Sequence, residues 1–157
     1  MINSMAMRGD IYEELKSGWR NVEMRLEKME EPYQLGKSKI VKLVFFNHSS
    51  EPVSLYHGSL IDHFDIEVVD ELSHSLPMTE WMKKIRISPR EGSAPAPKAP
   101  PKERLEMRIN LDTYVVFTSP GLFRVIFKAR PKSFGEYMKN SFCSITIKVE
   151  ENKDANQ

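Results

Sequence analysis

Apolar and polar residues alternate along most of this chain, which is the pattern of strands that bury one face of a sheet. Val22, Met24 and Leu26 are apolar, and charged residues separate them. Residues 39–47 instead form a nearly continuous apolar run, which is typical of a central strand covered on both faces. The pattern predicts seven strands, which lie around residues 22–26, 39–47, 53–57, 64–69, 105–111, 123–129 and 145–149.

Two segments have helical rather than strand-like spacing. A short helix is predicted from Asp10, which can cap its N-terminus, to Gly18, which can end it. Ile11 and Leu15 lie four residues apart and would share one face of that helix. Around residues 79–87 the sequence indicates a short amphipathic or irregular stretch.

Five of the ten prolines lie between residues 89 and 104. Because this composition does not suit a strand ladder, we predict a mobile, proline-rich loop there. Pro97 and Pro100 have the spacing of a proline-rich ligand for a partner domain, but the flanking residues do not complete such a motif.

Seven strands with turn-rich connections and hardly any helix predict an all-β fold. We expect a single immunoglobulin-like antiparallel β-sandwich of about seven strands with a short N-terminal helix. The length of 157 residues fits one domain. The predicted organisation is an N-terminal segment at residues 1–18, the sandwich at 19–150 with its proline-rich loop at 89–104, and a disordered tail at 151–157.

Composition narrows the class of protein. A hydrophobic fraction of 40% excludes a fully disordered chain, and no apolar run approaches the ~18 residues of a membrane span. The net charge of +1 argues against nucleic-acid binding. Cys143 is the only cysteine, so no intrachain disulfide can form. We expect a cytoplasmic protein if Met1 is the native start, and an extracytoplasmic one if a leader peptide was removed.

The near-neutral total conceals a strong segregation of charge. Residues 43–82 contain seven acidic side chains and no Lys or Arg, whereas residues 83–104 contain seven basic and two acidic ones. Such a two-signed surface can orient a partner, and the alternative is that the two segments neutralise each other across the fold. The candidate partner-binding residues are Asp62, Asp65, Glu67, Trp81, Lys83, Lys84 and Arg86. For Trp81 the alternative role is to cap an open end of the sandwich.

Catalytic motifs are missing from the sequence. It has no glycine-rich phosphate loop and no nucleophile elbow, so we predict neither an enzyme nor a bound cofactor. His57, Asp62 and His63 could meet across a strand–turn–strand corner, and they form a weak candidate metal site.

Short motifs occur in a characteristic order along the chain. They are Trp19, Tyr33-Gln34-Leu35-Gly36, the run from Phe46 to Val53, Phe64 to Asp70, Leu76 to Glu80, Ile109 to Leu111, Pro120 to Val125 and Asn140 to Phe142. Together they resemble bacterial immunoglobulin-like domains of unknown function over about residues 19–150. One departure is the segment Ala99 to Glu103, which stands where those domains have a proline–glycine–acid turn.

The strand end from Phe46 to Val53 is also distantly similar to the bacterial intracellular proteinase inhibitor family, another group of immunoglobulin-like sandwiches. Arg130-Pro131 resembles a loop of the chagasin-like inhibitors, but Lys132 replaces its tryptophan and the second inhibitory loop is missing. The resemblance therefore implies the immunoglobulin-like sandwich, but this chain does not match the loop residues on which inhibition depends in those families.

We expect a non-catalytic protein-binding or accessory module, with another protein as its partner and no nucleic acid. The first alternative is a proteinase inhibitor that acts through sandwich loops. The second alternative is a metal- or carbohydrate-associated enzyme domain, which would use the site at His57, Asp62 and His63.

Overall fold

The computed structural model describes residues 16–55, 60–87, 97–131 and 134–152, and strands dominate them. The strands of this part of the chain are β1 (Val22–Lys28), β2 (Tyr33–Gln34), β3 (Ile40–Asn47), β4 (Val53–Ser54), β5 (Phe64–Val69), β6 (Lys98–Ala99), β7 (Arg104–Asn110), β8 (Gly121–Ala129) and β9 (Phe142–Glu150). The helical elements of these residues are a helical stretch at 16–19, α1 (Glu80–Ile87), and 3-10 turns at Leu60–Asp62, Leu111–Thr113 and Phe134–Tyr137. The prediction of an all-β fold is confirmed.

The strands form two larger sheets and one small one. The first sheet is antiparallel and has the order β1-β3-β7, and the second has the order β2-β9-β8-β5. In the second sheet β2 runs parallel to β9, while the other neighbours are antiparallel. Because the chain passes repeatedly between the two larger sheets, strands that are distant in sequence lie side by side.

One hydrophobic core contains the inward-facing residues of both larger sheets. Val22 and Met24 of β1, with Val125 and Phe127 of β8, are at most 1% exposed, and the residues between them are more exposed. Each such burial contributes about 1.5–3 kcal/mol to stability. The strand alternation predicted from the sequence is therefore confirmed for these strands. In β3, Val44 is also buried, as expected of a central strand.

Three details differ from the predicted elements or lie outside the described residues. Of the predicted helix at 10–18 and strand at 53–57, only residues 16–18 and 53–55 are described, and β4 ends at Ser54. Residues 97–104 of the predicted proline-rich loop are not a loop throughout, because Lys98 and Ala99 form β6 and pair with β4. This pairing is possible because neither residue is a proline, so both keep the N–H that a ladder needs.

The outer edge of β1 is covered by the carboxamide of Asn140. Its Oδ1 accepts a hydrogen bond from Met24 N at 2.8 Å, and its Nδ2 donates to Met24 O at 2.7 Å. Lys139 N adds a bond to Val22 O at 3.0 Å. The side chain thus takes the place of a neighbouring strand, which protects this edge from pairing with another chain.

Asn47, at the end of β3, is fully buried and uses both ends of its carboxamide. Its Nδ2 donates to Glu51 O at 2.7 Å and to Ala99 O at 3.1 Å. Its Oδ1 accepts from Ser49 N at 3.0 Å and from Ser49 Oγ at 2.6 Å. One side chain therefore connects β3, the turn that follows it and the short strand β6.

Asn47→Ala should lower the free energy of unfolding by about 3 kcal/mol, because it removes the side-chain donor to Ala99 O in the interior and the acceptor of Ser49 N. Asn21→Ala is the matched control, since Asn21 is exposed and its side chain donates one bond, to Ser17 O at 3.2 Å. We expect the control to cost less than about 1 kcal/mol in urea unfolding. Equal losses in the two variants would contradict the structural role of Asn47.

Candidate functional site

Helix α1 is attached to the segment that follows β7 through Thr79, its N-terminal capping residue. Thr79 Oγ1 accepts from Met82 N at 3.1 Å and donates to Thr113 O at 2.7 Å. The first bond satisfies a helix N–H that has no partner within the helix, and the second holds the helix start against residues 113–117.

Residues 77–79 and 114–116 pair like two short strands just before the helix. Thr79 N donates to Tyr114 O at 3.1 Å, and Val116 N donates to Pro77 O at 2.9 Å. Val115 is buried between them. Val116 is exposed, whereas Tyr114, which ends the preceding 3-10 turn with a helical backbone, is half-buried.

Trp81 lies on α1 with its indole 41% exposed, an unusual state for the largest apolar side chain. It packs edge-on against Tyr114, with 6.0 Å between ring centroids. Lys84, one turn later, is exposed, and Met82 on the other side of the helix is buried. We call the exposed residues Trp81, Lys84 and Val116, together with the half-buried Tyr114, the Trp81 surface.

The two tryptophans of the chain therefore have different environments. Trp19 is buried in the core, stacks on Tyr137 and donates from Nε1 to Ser54 O at 2.8 Å. The side chain of Trp81, in contrast, is partly exposed. Burial in the core is thus observed for Trp19 and not for Trp81.

A hollow of about 380 Å³ lies beside the Trp81 surface. Val115, Val116 and Phe117 form its apolar side, and the turn that contains Lys37 and Ser38 forms part of the other. Lys39 and Asp112 also line it. The hollow has both apolar walls and polar groups, as small binding sites generally do.

Lys39 is the unusual residue of this hollow, because its charged side chain is only 2% exposed. Its Nζ lies 3.1 Å and 3.3 Å from the two carboxylate oxygens of Asp112, and it donates to Lys37 O at 2.9 Å. The ammonium also lies 4.8 Å from the ring centroid of Phe117. Since these contacts compensate the loss of hydration, Lys39 is a structural cation that positions Asp112 and Phe117.

The acidic candidates lie on β5 and in the 3-10 turn before it. Asp65 Oδ1 accepts from Arg130 Nε at 3.1 Å, and the Glu67 carboxylate accepts from Ser75 Oγ at 2.6 Å. Asp65 is therefore paired with a cation, although Arg130 lies outside the basic segment 83–104. Asp62 ends a 3-10 turn and is exposed.

The basic candidates lie on α1. Lys83 forms an ion pair with Glu80 at 3.1 Å, one turn earlier on the helix, whereas Lys84 forms no ion pair with the described residues. Arg86 belongs to the same helix, and its side chain is outside the described part of the structure. The structure thus brings Trp81 and Lys84 together and presents both to solvent.

Residues that could hold a metal ion were predicted at His57, Asp62 and His63. His57 lies outside the described residues, so this site stays a prediction. Within residues 16–55, 60–87, 97–131 and 134–152, no group of three or more His, Cys, Asp and Glu side chains is arranged to hold a metal.

A second hollow, of about 220 Å³, lies on the outer face of the first sheet. Its walls are charged, but the charges pair with each other: Arg104 contacts both Glu27 and Glu106. Glu23 accepts a hydrogen bond from His48 at 2.9 Å, which lowers the pKa of this carboxyl. Because these groups are already paired, this face offers less to a partner than the Trp81 surface.

Sequence reasoning identified Trp81 and Lys84 and missed Tyr114, Val116 and the Lys39–Asp112 pair. Asp112 follows Lys39 by 73 residues, and no local pattern indicates their contact. The available signal was a lysine at the start of an apolar strand, a position that needs an acidic partner when it is buried.

No family model and no curated protein matches the chain. The resemblance to bacterial immunoglobulin-like domains therefore rests on the motifs given above and stays a prediction. Within the described ranges, every helix is too short or too polar to cross a bilayer.

Asp112→Ala should lower the free energy of unfolding by about 3 kcal/mol, because it leaves the buried ammonium of Lys39 without its counter-ion. Replacing the lysine as well, in Lys39→Met with Asp112→Ala, should recover part of that loss. Urea unfolding of the wild type and of both variants measures this. A double variant less stable than the single one would contradict a compensating ion pair.

Cys143 should react slowly with Ellman's reagent at pH 8 until the protein unfolds. Burial raises the pKa of this thiol to about 12, from an ordinary value of 9.0, so the reactive thiolate is scarce in the native state. Between about pH 9 and 12 the unfolded thiol ionises and the native one does not. The native state should therefore lose stability over that range, and less so in Cys143→Ala. Rapid labelling of the folded wild type would contradict the burial.

Proposed function

We propose that the chain folds as an immunoglobulin-like sandwich, related to the bacterial domains that its motifs resemble. The strand orders support this proposal. In immunoglobulin constant domains, strands A, B and E are neighbours in one sheet, and C, F and G are neighbours in the other. Taken in chain order, β1, β3 and β7 correspond to A, B and E, and β5, β8 and β9 correspond to C, F and G.

We further propose that this protein is a non-catalytic protein-binding module and that the Trp81 surface is its contact site. The observation that carries the proposal is the indole of Trp81, which is 41% exposed and oriented by Tyr114. Tryptophan is among the residues that most often dominate the energy of a protein interface. An exposed indole already held in place loses less conformational entropy on binding than a freely rotating one.

The partner that fits this surface is a protein with an apolar depression and nearby carboxylates. The depression would receive Trp81, and the carboxylates would face Lys84. Val116 and the adjoining hollow extend the apolar contact, so the surface combines an aromatic centre with a polar rim.

The inhibitor alternative receives no support from Leu72, the most exposed large hydrophobic residue in the described part of the chain. Leu72 is 75% exposed, but it lies in a tight turn in which Ser73 N donates to Asp70 O at 3.0 Å. Ser73 follows with a left-handed backbone, φ 63°. A loop that enters a protease cleft like a substrate needs an extended backbone, which this turn does not provide.

Trp81→Ala should abolish capture of a partner by the immobilised protein from a lysate of the source organism. Once that partner is purified, the variant should weaken its binding at least about 30-fold, the effect of a hot-spot residue. Phe142→Ala is the matched control, since Phe142 is an exposed aromatic residue, 44% accessible, on β9. We expect the control to change the affinity less than about threefold.

Isothermal titration calorimetry measures both affinities, and urea unfolding verifies that both variants are folded. If Phe142→Ala weakened binding and Trp81→Ala did not, the contact site would be elsewhere. If no partner were captured and the pure protein turned over substrates in a hydrolase screen, the proposed function would be wrong.

A further inference from the structure

A third hollow, of about 430 Å³, lies at the end of the second sheet where β8 begins and β9 ends. Pro120, Leu122 and Val149 give it an apolar floor, and Leu122 is exposed. Gly121 between them has a φ of 151°, a backbone conformation that residues with a Cβ rarely adopt. The shape of this apolar floor therefore depends on Gly121.

The turn at residues 70–75 lies beside this hollow and is firmly held. Asp70 Oδ1 accepts from Leu72 N and from His74 N, both at 2.9 Å. At its end, Ser75 bridges back to Val69 of β5. Leu72 is thus an exposed apolar side chain on a fixed support, and the residue before it, Glu71, lines the hollow.

The rim of the hollow is acidic. Glu71, Glu150 and Glu151 line it together with a single cation, Lys148, which pairs with Glu150 at 3.2 Å. Glu71 and Glu151 are exposed and form no ion pair with the described residues. The hollow therefore combines an apolar floor with carboxylates that are available to an incoming cation.

We propose that this hollow binds a segment of another protein that carries an apolar side chain flanked by Lys or Arg. The apolar side chain would contact Leu122 and Leu72, and the flanking cations would face Glu71 and Glu151. Charge complementarity selects this occupant, since an acidic segment, or the same acidic end of a second copy, would be repelled by the rim. The site is separate from the Trp81 surface and does not depend on it.

The test uses a fluorescein-labelled peptide with one central leucine and two lysines on each side, and a matched peptide with glutamates in place of the lysines. Fluorescence anisotropy at low salt should show saturable binding of the basic peptide and none of the acidic one. Glu71→Gln with Glu151→Gln should weaken binding about tenfold, the effect expected of two exposed ion pairs. Leu122→Ser should also weaken it, whereas Trp81→Ala should leave it unchanged.

Equal binding of the two peptides, no binding of the basic one, or binding that survives Leu122→Ser would each overturn the proposal. Loss of binding in Trp81→Ala would also overturn it, because the peptide would then occupy the Trp81 surface. Sedimentation equilibrium then measures whether the chain forms a dimer. A dimer that the paired Glu71 and Glu151 substitutions dissociate would assign the hollow to a second copy of the chain and overturn the proposed occupant. Since the Trp81 variants are measured separately, failure here leaves the proposed function testable.

Discussion

The ammonium of Lys39 is almost wholly removed from solvent, and the carboxylate of Asp112 compensates its charge. This pair joins the start of β3, the central strand of the first sheet, to the segment after β7. Leu111 N donates to Lys39 O at 2.8 Å, and Lys39 N donates to the side-chain oxygen Asp112 Oδ2 at 3.1 Å, so two further hydrogen bonds fix the same junction. Removing one partner of a buried ion pair lowers the free energy of unfolding by more than the intact pair contributes to it. The junction is therefore a strong constraint on the structure.

The Trp81 surface is held in position by that junction. The segment held by Asp112 continues into Tyr114, which orients the indole of Trp81, and into Thr113, whose carbonyl anchors the helix start at Thr79. The Trp81 surface therefore lies on a short helix and on the segment that Asp112 holds in place. Such support limits the entropy lost on binding and suits a contact surface.

The sequence predicted the local features of this arrangement and not the contacts between residues that are far apart in the chain. The period of two predicted the main strands because burial of one face is a local property of a strand, and Val22 and Met24 are buried as expected. Trp81 was identified from composition and charge. Its support by Tyr114, the pairing of Asp65 with Arg130 and the bond between Lys39 and Asp112 were not predicted, because each joins residues 33 or more positions apart. The proline-rich segment was predicted as a loop because its composition gave no sign of the pairing with β4, which is distant in sequence.

The central claim is that a partner protein contacts Trp81 and leaves the core unchanged. The most direct measurement follows the two indole N–H signals of the ¹⁵N-labelled protein by NMR while the captured partner is added. The account predicts that the Trp81 signal shifts or broadens with saturation, while the signal of Trp19, which is bonded to Ser54 O in the interior, stays in place. A Trp81 signal that does not change at saturating partner would contradict the account.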